Sequence, residues 1–479
     1  MSNQPSDDDQ NADLASLLEQ TRHIATEWLR NRSRRPVAPA AIAIPAISLP
    51  EQGNPASEAV PAFLDWADSG LANGAGPGYF GFVTGGVVPA AMAGDWLASA
   101  VDQNAATSVT SPAAAATEAV VIRWMLSLLG LPETWGGVMS DGATMSNLIG
   151  LAAGRQAVGE ALGFDPTVDG LSGQPLIRVV TSTEVHSGAI KALGTLGLGR
   201  GVLTKLPAIN GALDIDALRG YLESHSGPTI IIANAGEVNT GQFDDIAAIV
   251  RLRDELSPQS WIHVDAAFGA FAGASSNSRH LLAGIEGVDS VAADGHKWLN
   301  VPYDAGFVFF RDPSAAQRAF AISSAYQTRA DGFDADTMTV EFSRRFRALP
   351  AWCALYSLGR EGYRAIVDQC LANAKLLMDL VENADGVELV NREGQLRAPF
   401  CIAAFRITHA DWSVEETDRA NRHAVELING RGTSYVSGTN WQGDAAIRAA
   451  FVNWQTRETH VRQLFADVLA ARATIVNRD

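Results

Sequence analysis

Two segments carry residue types that could do chemistry together. Residues 290–299 read SVAADGHKWL, so an apolar run ends in Asp294, Gly295, His296 and Lys297. A lysine at the end of a buried strand is awkward, because its ammonium is costly to desolvate. Either it snorkels to water, or it is kept in a partly apolar pocket as a nucleophilic amine that forms an imine. Residues 261–269 read WIHVDAAFG. Alone, Asp265 would be a turn or helix-capping aspartate. Beside Lys297 it suggests one cofactor. Pyridoxal phosphate needs an amine to hold its aldehyde and a cradle for its phosphate. It also needs a carboxylate that keeps its ring nitrogen protonated and electron-accepting. Lys297 can be the amine and Asp265 the carboxylate, and Ala267 is small enough for a flat ring to pack against the backbone.

Two further segments complete the set. In SDGATMSNLI (140–149) a strand, a glycine turn with Thr144 and a helix follow one another, which would aim free backbone amides at a phosphate. In STEVHSGAIKA (182–192) His186 ends a β run and opens a helix. It is either a packing histidine or a ring over the cofactor that exchanges a proton near neutral pH.

The elements that must position these residues can be read from the pattern. From about 90 to 310, short β-rich runs (GGVMS, IRVVTS, TIIIANAG, WIHVDAAFG, SVAADG, GFVFFR) alternate with helical stretches near 145–160, 187–198, 214–224 and 244–256. That alternation predicts an α/β fold with a mostly parallel sheet covered by helices on both faces. Ligands of such sheets sit at the carboxyl ends of the strands, where Asp265 and Lys297 fall. Residues 1–11 read as a loose tail and 12–32 as an amphipathic helix. Six prolines from Pro36 to Pro61 exclude regular helix or central strand there and suggest an arm over its own domain or a partner subunit. The stretch 356–479 reads as small α+β, with helices near 360–384, 415–430 and 458–475 and strands near 401–407 and 446–452. The predicted division is 1–87, N-terminal helix and arm; 88–355, large cofactor-binding domain; and 356–479, small C-terminal domain.

Composition narrows the function. The 479 residues are 47% hydrophobic and carry a net charge of -17. That balance argues against a nucleic-acid partner and a polybasic membrane anchor. The most apolar stretch, AAAATEAVVIRWMLSLLGL, includes Glu118 and Arg123 and reads as a buried helix rather than a membrane span. Three cysteines without a CxxC point to no disulfide framework and a reducing cytoplasm. The acidic, polar start lacks the pattern of a signal peptide.

The segments WIHVDAAFGAFAG and SVAADGHKWLNVPYDAGFVFFRD resemble the group II pyridoxal-phosphate-dependent amino-acid decarboxylases, which include the aromatic-L-amino-acid, histidine, glutamate and diaminobutyrate decarboxylases. The resemblance continues in the family's order through GYFGFVTGG (78–86), TSVTSPAAAATE (107–118), GGVMSDGATMSNLIGLAAGR (136–155), STEVHSGAIKA, RRFRALPAW (344–352) and SGTNWQGDAAIRAAFVNWQT (437–456). It covers nearly the whole chain from about residue 60. It implies a fold type I, PLP-dependent transferase-like homodimer with active sites at the subunit interface, converting an L-amino acid to its amine and carbon dioxide. Carried over by motif, Lys297 would be the Schiff-base lysine and His296 its neighbour near the phosphate. Asp265 would hold the ring nitrogen, Ala267 would lie under the ring, and His186 would stack above it. Ala143 and Thr144 would bind the phosphate, while Tyr79, Phe80, Phe82 and Thr84 would line the substrate pocket.

Three positions depart from the family pattern. Asp294 stands where relatives often have Asn, which calls for a hydrogen-bond donor or a turn away from the phosphate. Gly236-Glu237-Val238 replaces a frequent Gly-Thr-Thr. The mobile-loop tyrosine that protonates the substrate carbon in many relatives would fall near Ala335, and Tyr326 is the only tyrosine of that loop. An aldehyde synthase or another carbon–carbon lyase on the same fold is therefore the main alternative. A catalytically silent scaffold is disfavoured by intact Lys297, His186 and Asp265. A nicotinamide enzyme is disfavoured because GTLGLGRG (194–201) lacks a preceding strand and an acidic partner. Residues 79–82 could favour an aromatic or aliphatic substrate or could be wall packing. Arg344, Arg345, Arg347 and Arg448 could read a carboxylate, although ion pairs are the commoner use of such residues.

Overall fold

The computed structural model describes residues 7–322, 332–390 and 399–477. Helices α1 (Asp7–Arg30), α2 (Ala56–Ala67), α3 (Pro89–Val101) and α4 (Pro112–Leu129) precede the sheet. β1 (Gly136–Ser140), α5 (Ala143–Ala161), β2 (Arg178–Ser182), α6 (Ser187–Thr195) and β3 (Leu203–Leu206) follow. A small hairpin of β4 (Ala208–Ile209) and β5 (Ala212–Leu213) leads to α7 (Ile215–Ser224), β6 (Thr229–Asn234), α8 (Ile246–Leu256), β7 (Trp261–Asp265), β8 (Ser290–Asp294), β9 (Gly306–Phe310) and α9 (Ser314–Phe320). The chain closes with α10 (Ala348–Glu382), β10 (Val387–Leu389), β11 (Ile402–Ile407), α11 (Val414–Gly430), β12 (Ser437–Trp441), β13 (Asp444–Ala450) and α12 (Glu458–Val476).

The predicted α/β architecture is present. Seven strands run in the order β1-β9-β8-β7-β6-β2-β3, and only β9 is antiparallel to its neighbours. The strands read as continuous apolar runs because both faces are buried. Alternate residues feed two cores: Ile231, Ala233, Phe307 and Phe309 face one, while Ile230, Ile232, Val308 and Phe310 face the other. The second sheet is antiparallel, in the order β10-β11-β13-β12. α10 runs through residue 355 and kinks at Gly359, whose φ is 57°.

Helix α4 is long and apolar enough to cross a membrane by length and composition. One face of it packs into the core here, through residues such as Val121, Ile122, Met125 and Leu126. Ser111 caps its N-terminus, Pro112 opens it, and Gly130 ends it at a φ of 73°. Its buried Glu118 pairs with buried Arg344 at 3.0 Å and accepts the Met139 N–H of β1 at 2.9 Å.

Two expectations are corrected, the first because α1 begins at Asp7, inside the stretch 1–11 read as a loose tail. The proline-rich stretch was predicted to exclude helix up to Pro61, yet Pro61 lies inside α2. A helical proline leaves the carbonyl four residues earlier without its partner. That carbonyl, Ser57 O, accepts Gln20 Nε2 of α1 at 3.2 Å instead.

Candidate active site

Asp265 ends β7 and Asp294 ends β8, so two carboxylates stand at neighbouring strand ends. The chain after Asp294 coils through Gly295–Leu299, which brings Lys297 back over the same edge. Both Lys297 and Asp265 line one cavity of about 720 Å³. Lys297 Nζ lies 2.9 Å from Asp294 Oδ2 and 5.8 Å from the Phe268 ring centroid. His296 stacks on Tyr303 with centroids 4.3 Å apart. Burial holds its imidazole below the ordinary histidine range, against the pull of the Asp294 carboxylate. Its Nδ1 is buried and unpartnered.

Asp294 is held by donors, as its departure from the family pattern required. Its Oδ1 accepts the Ala143 N–H at the start of α5, and Lys297 Nζ lies at Oδ2. His296 Nε2 stands 3.5 Å from Oδ1. A Cβ on Gly142 would lie 3.1 Å from His296 Cε1, so the α5 N-terminus, with Ala143 and Thr144 in its first turn, abuts the lysine turn.

The remaining predicted residues sort clearly. Ala267, His186, Tyr79, Phe82 and Thr84 line the cavity with Asp265 and Lys297. His186 is exposed and caps α6 by accepting the Gly188 N–H at 3.1 Å. Tyr79 stacks on Tyr435 at 4.6 Å, and burial pushes its phenol up to about 12. Phe80 does not line the cavity. It is 1% exposed and packs on Phe451, 5.2 Å between ring centroids. The Phe80 N–H donates to Tyr435 O, and Phe80 O accepts from Ala450, so the segment is extended there. Successive side chains of an extended segment point to opposite sides, and Tyr79 takes the cavity side.

Of the four arginines, three are in ion pairs: Arg344 with Glu118, Arg345 with Asp95, and Arg347 with Asp304 and Glu341. Arg448 lines the cavity and donates to the backbone carbonyls of Phe82 and Val238 instead. Burial lowers its guanidinium to about 10, which still leaves it charged at neutral pH. Gly236, Glu237 and Val238 also line the cavity, and Glu237 is taken up by its own turn, accepting from Asn239 and Thr240. Ala335 is buried at 1% exposure and offers no phenol; Tyr326 lies outside the described residues.

Several working residues escaped the sequence reading. Tyr303, Phe268 and Asn234 line the cavity. Asn300 sits just after the lysine turn at a φ of 53°, a left-handed conformation that asparagine tolerates. Its side chain is fully used. Oδ1 accepts Gly86 N–H at 2.7 Å and Trp454 N–H at 3.1 Å, and Nδ2 donates to Trp298 O and Val452 O. It thus ties the 78–86 segment and the stretch that follows β13 to the turn that carries Lys297. Asn300→Ala would strand three buried backbone groups and one half-buried one, and urea unfolding is expected to show a loss of about 3 kcal/mol or more. Gly85 is equally constrained: a Cβ there would lie 1.9 Å from Lys297 O.

These residues fit pyridoxal phosphate. A primary amine and a buried carboxylate face one cavity, small Ala267 leaves room for a flat ring, and the start of a 19-residue helix with the unpartnered His296 Nδ1 stands beside the lysine. An aspartate at the end of β7 and a lysine in the turn after β8, on one cavity of a mostly parallel sheet, are the arrangement expected of a pyridoxal-phosphate enzyme of fold type I. The pattern of the pyridoxal-dependent decarboxylase conserved domain matches residues 50–403, and the chain belongs to that family. It is 27% identical over 448 residues to tryptophan decarboxylase 1 of Oryza sativa subsp. japonica, covering 88% of this chain and 84% of that one. It is 26% identical over 412 residues to phenylacetaldehyde synthase of Arabidopsis thaliana, covering 82% and 81%. The crystal structure of the Oryza sativa tryptophan decarboxylase with PLP and tryptamine superposes with a TM-score of 0.89 at 26% identity, covering 99% of this chain and 100% of that one. The protein is a pyridoxal-phosphate-dependent carboxy-lyase.

Proposed function

We propose that the protein is a homodimer that converts an L-amino acid to its amine and carbon dioxide in a reducing cytoplasm. The observation that carries the reaction is the placement of Lys297 and Asp265 on one cavity, with Ala267 beside them. Bound pyridoxal phosphate supplies the electron sink for the carbon–carbon bond that breaks. Lys297 Nζ would hold the cofactor through its aldehyde, yield that carbon to the substrate's amino group and reclaim it when the product leaves. Asp265 holds its negative charge against the ring nitrogen. The α5 N-terminus with Thr144, and His296, would hold the phosphate, while the Ala143 N–H, expected to do so, already donates to Asp294 Oδ1. His186, on the open side of the cavity, moves a proton to the substrate carbon through Nε2. Tyr79, Phe82 and Tyr303 give the cavity an aromatic wall, and Arg448 supplies a buried positive charge for a substrate carboxylate.

The dimer rests on exposed apolar surface. Phe82 is 61% exposed and Tyr356 71%, and Trp96 and Leu97 of α3 are also exposed. Phe82 and His186 line the cavity while facing solvent, so a second copy would close it. The free thiols Cys353, Cys370 and Cys401 suit a reducing compartment.

The test is a panel of L-amino acids given to cofactor-loaded protein, scored together for carbon dioxide, amine, aldehyde and hydrogen peroxide. Equal amounts of carbon dioxide and amine without peroxide are expected from at least one substrate. The Arabidopsis relative gives weight to a second reading, an aldehyde synthase, which aldehyde plus peroxide would establish instead. Sedimentation of the same preparation should return the mass of two chains; that of one would refute the dimer.

A further inference from the structure

Behind Asp265 lies a line of buried polar groups that the reaction as proposed does not use. Trp261 and His263 precede Asp265 on β7 at alternate positions, so all three point to one face of the sheet. Trp261 Nε1 lies 3.0 Å from Ser290 Oγ. That oxygen is 2.7 Å from His263 Nδ1, His263 Nε2 is 2.8 Å from Asn147 Oδ1, and Asn147 Nδ2 is 2.7 Å from Asp265 Oδ2. Ser290, His263 and Asn147 are at most 1% exposed.

The chemistry of the groups fixes the direction of the chain. The Asp265 carboxylate can only accept, so Asn147 turns its NH₂ to it and its Oδ1 to His263 Nε2–H; Nδ1 of the neutral ring then accepts from Ser290 Oγ, which in turn accepts the Trp261 N–H. The contact of the Asn147 amide nitrogen with the Asp265 carboxylate is charge-assisted. A neutral imidazole is required, and burial lowers His263 to about 4. Helix α5 is shaped around this line. A Cβ on Gly150 would fall 2.5 Å from the His263 ring, and one on Gly154 would fall 2.7 Å from Trp261 Cδ1. Among the described hydrogen bonds, Asp265 Oδ1 carries only the longer one from Ala267 N–H, at 3.2 Å.

We propose that Asn147 is a positioning residue, the end of a one-way chain Trp261–Ser290–His263–Asn147 that fixes Asp265 Oδ2 and leaves Oδ1 for the ring nitrogen of the cofactor. The inference rests on the function proposed above and deepens its account of the cofactor site.

The test uses full-length protein and pyridoxal phosphate, with cofactor affinity read by equilibrium dialysis and kcat and KM read on the loaded enzyme. Asn147→Leu is expected to weaken cofactor binding on the order of 10- to 100-fold and to lower kcat by a similar factor, with KM little changed. His263→Leu should do the same. His263→Gln, whose amide can accept from Ser290 and donate to Asn147, should recover most of that loss. A role in packing alone would lower the melting temperature of the cofactor-free variants without separating Gln from Leu at position 263. Cofactor affinity and kcat of Asn147→Leu within about threefold of the unaltered protein would overturn the proposal while leaving the decarboxylase reading intact. Should Asn147→Leu not fold, Ser290→Ala decides: a several-fold weaker affinity supports the chain and an unchanged one overturns it. Unaltered protein that takes up no cofactor would overturn both readings.

Discussion

Lys297→Ala is expected to reduce amine formation by at least about 10⁴-fold, to below detection in most assays. Borohydride should fix labelled cofactor to the unaltered chain at residue 297 and leave the variant unlabelled. Two roles of this lysine have to be separated, because its Nζ is also 2.9 Å from the buried Asp294 carboxylate. Removing one member of a buried pair leaves the other charge under-compensated. Asp294 keeps the Ala143 N–H, and the Lys297 side chain is 19% exposed, so the stability cost should be modest, about 1–2 kcal/mol. Lys297→Arg resolves the ambiguity. Its guanidinium preserves the charge beside Asp294 but stays protonated and forms no covalent link to an aldehyde. It should match the unaltered protein in cofactor-free melting while matching Lys297→Ala in turnover. Turnover by Lys297→Arg above about 1% of the unaltered rate would place the covalent chemistry on another amine.

What the sequence made legible was short-range and strand-bound. A strand buried on both faces reads as an unbroken apolar run, so its end is visible in sequence, and residues just past that end are placed by the fold class alone. Asp265 and Lys297 were found that way, and the neighbouring strands β7 and β8 bring them together. The residues that escaped are set by contacts between distant segments. Phe80 was assigned to the pocket because its motif neighbours are there. Which side of an extended segment faces the cavity is decided by pairing with Tyr435, far along the chain. Pro61 is tolerated in α2 because Gln20, from another helix, satisfies the freed carbonyl. His263 and Asn147 are 116 residues apart. The sequence does offer one clue to them: Asn147, Gly150 and Gly154 recur at a helical spacing, and WIHVD alternates polar groups at a strand spacing. Neither pattern says that the two faces meet.

Asp265→Asn is expected to lower kcat on the order of 10³-fold, about 4 kcal/mol of lost stabilisation for the charge that develops as the carbon–carbon bond breaks. Asparagine keeps the shape of the side chain, so the fold and the cavity should persist. The polarity of its contacts changes in a way the structure dictates. Asn147 Nδ2 sits 2.7 Å from one oxygen of residue 265 and can only donate. An amide at 265 must therefore turn its own oxygen toward Asn147, which leaves its NH₂ facing the cofactor. A donor in that place favours the unprotonated ring nitrogen, the opposite of what the carboxylate does. The loss should thus appear in kcat, with KM within about threefold, because the substrate's own contacts are untouched. Asp265→Glu separates charge from geometry: it retains the carboxylate but carries it one methylene further into a site closed by Ala267 and Asn147. Its rate should fall between those of the unaltered protein and Asp265→Asn. A kcat for Asp265→Asn within about tenfold of the unaltered enzyme would mean that the buried acid is structural and that the electron sink draws on another group.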